Sequence, residues 1–144
     1  MNGDGVVAQL AELALFADLT WPELERVAHT FDEEAFEPGR RVLRQGLSGS
    51  ALYIVLEGSA TVHVAEVRVA HLARGDFFGE ISVLTGSPRT ATIVAASRCE
   101  LLELDRPTLD SITSAYPRVR EVLQRFYEQR MATSADVLQR PGAA

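Results

Sequence analysis

The sequence predicts a mainly β domain with flanking helices. Short runs rich in β-branched and aromatic residues recur through the middle of the chain. Glycines punctuate these runs, and apolar residues at helical spacing occupy both ends. Many short strands with regular glycine breaks indicate a sandwich or barrel.

The elements follow in order. Val6, Val7, Leu10, Leu13 and Ala14 recur at helical spacing, and Phe16 and Leu19 continue their face. Thr20 before Trp21-Pro22-Glu23 starts a second helix: a hydroxyl cap, a proline in the first turn, and Glu23 three positions after the cap. Leu24, Val27 and Ala28 supply its buried stripe. The period changes at Asp32. Pro38-Gly39 marks a turn, Val42-Leu43 a short strand, and Gly46 and Gly49 a loop. Residues 51–56 form a buried strand closed by Gly58. Residues 61–64 and 67–72 alternate around Ala65-Glu66, a hairpin whose turn residues are not the favoured types. Residues 90–94 and 100–104 are two further strands. Leu109 and Ile112 mark a helix that Tyr116-Pro117 ends. Val119, Val122, Leu123 and Phe126 then form a longer amphipathic helix. The domain is expected over 1–131, with a flexible tail at 132–144.

Composition narrows the function. One domain accounts for 144 residues. The formal net charge of −6 argues against direct nucleic-acid binding and against docking on an anionic membrane. All 14 basic residues are Arg, a feature ascribed to genome composition. The single cysteine, Cys99, forms no internal disulfide, fits a reducing compartment, and reads as a packed core thiol. Met1 to Gly5 lacks the basic flank of a secretory signal, and no run is long enough to span a membrane. A cytoplasmic location is expected.

The segment Gly75 to Ala91 carries the chemistry. Gly79 would let a ligand approach the backbone closely. Residues 80–84 allow one helical turn whose free N–H groups suit an anion. Thr85-Gly86-Ser87-Pro88 loops out and returns at Arg89, whose guanidinium can grip a phosphate with two parallel bonds. Thr90 adds a hydroxyl, and Glu80 an acceptor for a sugar hydroxyl. Taken alone, these residues leave open a surface Glu80–Arg89 pair without ligand.

The run Phe78-Gly79-Glu80-Ile81-Ser82-Val83-Leu84-Thr85-Gly86-Ser87-Pro88-Arg89-Thr90-Ala91 resembles the phosphate-binding cassette of cyclic-nucleotide-binding domains. These occur in protein kinase A regulatory subunits, nucleotide-gated channels and catabolite activator proteins. The resemblance extends from about Leu10 to about Arg130, through Gly39, Gly46, Gly49, Tyr53-Ile54-Val55, Gly58 and Gly75-Asp76-Phe77. It implies an eight-stranded jelly-roll-like β-roll with two N-terminal helices, a short cassette helix and two C-terminal helices. It implies a regulatory sensor of cAMP or cGMP, with no catalytic residue, metal or cofactor. By resemblance, Glu80 takes the ribose 2′-hydroxyl and Arg89 the cyclic phosphate. The amides of Gly79, Ile81 and Ser82, with Thr90, complete the cradle beside Phe78 and Ala91. The hydroxyl at Thr90 tilts slightly toward cGMP. Leu123, Phe126 and Tyr127 are candidates to cap the base; for Leu123 and Phe126, packing on the roll is an equal alternative.

One departure stands out. Many members carry Asp where this chain has Ser50, and that Asp helps fix the cassette arginine. Ser50 is the support for an alternative reading, a degenerate fold serving as a protein-interaction module. A metal-dependent cupin enzyme is disfavoured: His63 and His71, near Glu66, lack the tight His-x-His and following ligands that family needs. No Ser/His/Asp set is evident, and Glu33-Glu34 and Arg40-Arg41 read as solvated faces. The short, non-basic stretch after Met131 leaves no room for a DNA-binding helix-turn-helix. The chain therefore reads as a sensor excised from a larger protein, or a free-standing one. Its effector is unknown, and a homodimer through the helices is open.

Overall fold

A computed structural model of the chain describes residues 7–8 and 10–139. Val6 of the first expected helix and residues 140–144 of the expected tail lie outside them. Among the described residues, eight strands form two four-stranded antiparallel sheets. They are β1 (Asp32–Phe36), β2 (Arg41–Leu43), β3 (Leu52–Glu57), β4 (Ala60–Val64), β5 (Val67–Leu72), β6 (Phe77–Phe78), β7 (Thr92–Ala95) and β8 (Cys99–Leu104). The first sheet has the order β1-β8-β3-β6 and the second β2-β7-β4-β5. This is the mainly β roll the sequence predicts.

Helical segments flank the roll. Val7, Ala8, Leu10 and Ala11 are helical, followed by a 3-10 turn over Ala14–Phe16. Helix α1 spans Trp21–Ala28 and opens on a complete capping box. The Glu23 amide donates to Thr20 Oγ1 at 3.4 Å, and the Thr20 amide donates to Glu23 Oε1 at 2.8 Å. Helix α2 spans Glu80–Thr85 within the roll. Helix α3 (Arg106–Ala115) is capped by Asp105, which accepts from the Thr108 amide at 3.0 Å. Helix α4 runs over Pro117–Gln139.

Helix α4 passes the boundary expected at Met131, where the tail was to begin. Polarity alone is a poor stop signal for a helix. The breakers lie further on, at Pro141-Gly142, and residues 132–139 contain neither glycine nor proline.

Strands β3 and β8 explain the architecture. The first sheet separates two cores, so successive side chains on these strands serve opposite sides. Leu52, Ile54 and Leu56 of β3, with Leu102 and Leu104 of β8, join the helices in one core. Tyr53 and Val55, with Cys99 and Leu101, face the second sheet in the other. Burial on both faces is why β3 reads as an unbroken apolar run rather than an alternating one. Each fully buried Leu or Ile contributes roughly 1.5–3 kcal/mol. Cys99 is buried in the inter-sheet core, as expected, and burial pushes its thiol pKa up.

The β4–β5 hairpin forms as expected, with Val64 opposite Val67. Its turn residues, Ala65 (φ 50°) and Glu66 (φ 67°), both occupy the left-handed region. Two-residue hairpins require that geometry, and Asn or Gly adopts it more cheaply.

Candidate functional site

The cassette is seated by β3. The Val55 amide donates to the Asp76 carbonyl, and the Gly75 amide donates to the Val55 carbonyl, both at 2.8 Å. Phe77 and Phe78 then alternate across β6. Phe77 turns into the helical core, where its ring lies 4.8 Å from Phe126. Phe78 turns into the roll and stacks on Tyr53 at 5.2 Å.

Gly79 makes the corner from β6 into α2. Its φ of 93° lies in the left-handed region, and a Cβ there would sit 2.6 Å from the Ala51 carbonyl oxygen. The expected close approach at Gly79 is therefore made by Ala51, with Arg89 Nη1 at 3.1 Å from the same Cβ position. Glycine is required on both counts. No side chain caps the amides at the start of α2.

Arg89 returns to this corner. It is 5% exposed, yet it carries a full charge. Its Nη1 donates to the Gly79 carbonyl at 3.3 Å and its Nη2 to the Ala51 carbonyl at 3.0 Å. Burial lowers its pKa from the usual value, while Tyr53, Glu103 and Glu80 raise it. Tyr53 in turn donates to Glu103 Oε2 at 2.6 Å, and burial followed by this bond raises the phenol pKa. Position 49 backs directly on the guanidinium: a Cβ on Gly49 would lie 2.8 Å from Arg89 Nε.

Of these groups, Gly79, Glu80 and Arg89 line a cavity of about 280 Å³ inside the roll. All eight predicted cassette residues line it: Phe78, Gly79, Glu80, Ile81, Ser82, Arg89, Thr90 and Ala91. Glu80 and Ser82 are each 2% exposed. The far walls are mostly apolar, formed by Leu43, Val62, Val64, Val69, Leu72 and Ile93. A polar end and apolar walls suit a ligand with an anionic group and a flat, weakly polar body.

Sequence reasoning missed these far walls. Their strands were legible, but which face of each turned inward was not. His71 lies on the cavity wall. His63 shares a 2.9 Å hydrogen bond with Thr61. Among the described residues, no group of three or more His, Cys, Asp or Glu is placed to hold a metal ion.

The three candidate cap residues stand elsewhere. Leu123 is fully buried in the helical core, and Phe126 packs against that core through Phe77. Tyr127 is half-buried on α4. None of the three lines the cavity. The packing alternative describes Leu123 and Phe126, because the apolar stripe of α4 is consumed in docking it. Helix α4 packs on α2, α3 and the 3-10 turn, and it also touches β4, which supplies Val62 and Val64 to the cavity.

The β-roll thus holds a cavity whose lining includes a buried arginine. The chain belongs to the cyclic-nucleotide-binding domain family, whose model matches residues 33–116. It is 30% identical over 125 residues to the cGMP-dependent protein kinase egl-4 of Caenorhabditis briggsae, covering 81% of this chain and 16% of that protein. Its fold matches a cAMP-bound PfPKA-R structure (residues 141–441 of that protein) with a TM-score of 0.88. That likeness covers 98% of this chain and 49% of the other at 22% identity, and it speaks to the fold. The regulatory subunit of a cAMP-independent protein kinase A from Trypanosoma brucei matches with a TM-score of 0.78 and 26% identity, over 88% of this chain and 46% of that one. The chain thus spans about half, or less, of each of these relatives.

Proposed function

We propose that the chain binds a cyclic nucleotide, cAMP or cGMP, in the roll cavity and acts as a regulatory sensor. One observation carries the reading: the buried Arg89 guanidinium at the polar end of the cavity. Two carbonyls and the charges of Glu80 and Glu103 offset part of the cost of burying this cation, and a bound phosphate would offset more. The fold alone does not carry the reading, since one neighbour of the same fold is the regulatory subunit of a kinase described as cAMP-independent.

In this reading Arg89 pairs with the cyclic phosphate, and the amides of Gly79, Ile81 and Ser82 with Thr90 complete its cradle. Glu80 accepts from the ribose 2′-hydroxyl. The apolar walls hold the base. The module has no catalytic role of its own. Occupancy passes through α2 to α4, which packs on it, and from α4 to an effector in the same chain or a partner. A ligand moves that helix only if it binds one arrangement better than another. No helix among the described residues is long and apolar enough to cross a membrane, and a cytoplasmic setting with cyclic nucleotide as the partner fits this role.

Thermal unfolding with added ligand tests the reading. A ligand that binds only the folded state raises stability by roughly 2.7 kcal/mol at a hundred times its dissociation constant. The melting temperature is expected to rise with cAMP, cGMP or both, and not with 5′-AMP, whose phosphate is open. No shift with either cyclic nucleotide would leave the fold as an interaction module.

A further inference from the structure

Gln45 lies in the exposed loop between β2 and β3, apart from the cassette. Its side chain and backbone nevertheless bridge two walls of the cavity. The Ala65 amide, in the β4–β5 turn, donates to Gln45 Oε1 at 2.8 Å. The Gln45 amide donates to Thr92 Oγ1 on β7 at 3.0 Å. The next residues hold Arg89 itself. The Gly46 amide donates to the Arg89 carbonyl at 2.8 Å, and the Arg89 amide donates to the Leu47 carbonyl at 2.9 Å.

A path through the Gln45 side chain, the Gln45-Gly46 peptide link and the Gly46 hydrogen bond therefore runs from the hairpin turn to the backbone of Arg89. Its neighbours are cavity residues: Val64 precedes Ala65, Ala91 precedes Thr92, and Leu43 lies two positions before Gln45. The turn it holds is an unfavourable one, with Ala65 at a φ of 50°. The amide oxygen of Gln45 supplies an anchor that the turn residues themselves do not.

We propose that Gln45 is a positioning residue for Arg89, setting how far the β4–β5 wall stands from the guanidinium. The assignment rests on the reading of the cavity as the nucleotide site. Because Gln45 is exposed, removing its amide opens no hole in either core, so its effect falls on the site more than on the fold.

The test measures affinity for cAMP and cGMP by calorimetric titration. Gln45→Met is expected to weaken binding about three- to tenfold, the worth of one net hydrogen bond. Gln45→Glu keeps the acceptor oxygen and is expected to stay within about twofold of wild type. Thr92→Val removes the other anchor and is expected to weaken binding in the same direction. In an Arg89→Lys background, Gln45→Met is expected to cost less than about twofold, because coupled residues are not additive. Wild type that binds while Gln45→Met binds equally well overturns the positioning role alone. An equal loss in both backgrounds also overturns it, since that is general loosening. Wild type that binds neither nucleotide overturns the reading of the cavity, and this assignment with it.

Discussion

The Arg89 guanidinium donates to the carbonyl of Gly79, ten positions back in the chain, at 3.3 Å. The bond joins the two ends of the cassette. It holds the cation in a low-dielectric corner where an arriving phosphate meets little competition from water.

Glu80 is buried on the cavity wall. Glu80→Gln keeps an acceptor oxygen but gives up the charge. Affinity is expected to fall roughly tenfold, the difference between a charged and a neutral hydrogen bond. Glu80→Ala is expected to cost more. Titration of the two variants against one nucleotide checks the order.

Ser50 lies between Gly49, which backs on Arg89 Nε, and Ala51, whose carbonyl takes Nη2. A carboxylate at this position is expected to reach the guanidinium and restrain it before ligand arrives. Ser50→Asp is therefore expected to raise nucleotide affinity about threefold or more, on the order of one exposed charge-assisted bond. Unchanged affinity would mean that Ala51 and Gly79 already fix the side chain.

The β4–β5 turn stores backbone strain at Ala65 and Glu66. Left-handed backbone costs a non-glycine residue roughly 1–2 kcal/mol. The double substitution Ala65→Asn with Glu66→Gly is expected to stabilise the fold by about 1 kcal/mol, or roughly 2–4 °C in melting temperature. Denaturant titration checks it.

Glu34 on β1 has its pKa raised by desolvation, then by Glu103 and Asp32. A raised carboxyl pKa means that folding disfavours the charged form. Its contribution is fully present below the unfolded pKa and is lost as pH rises through the folded one. Glu34→Gln is therefore expected to be more stable than wild type at neutral pH, by about 0.5 kcal/mol given its exposure. The gap should close as pH falls below the ordinary glutamate range. Melting curves from acid to neutral pH show the trend.

Much of this was legible in the chain. The capping box of Thr20 and Glu23 is a local pattern, and it forms as read. The cassette is a fixed spacing of special residues, and the eight site residues read from it line one cavity. Strands β1 and β6 were not legible. The first is an edge strand, charged because water covers it. The second is only Phe77–Phe78, too short to show a period. The partners of Arg89 were hidden for another reason: Ala51 and Gly79 act through carbonyls, which leave no trace in side-chain identity. Gln45 was invisible likewise, since its partners lie 20 and 47 positions away.

The most direct measurement is calorimetric titration of wild type and Arg89→Ala with cAMP and with cGMP. Removing one partner of a buried charge pair costs roughly 2–5 kcal/mol, so affinity should fall by roughly 30-fold to several thousandfold. Equal affinities in the two proteins would contradict the assignment of the arginine, and no heat from wild type with either nucleotide would contradict the function itself.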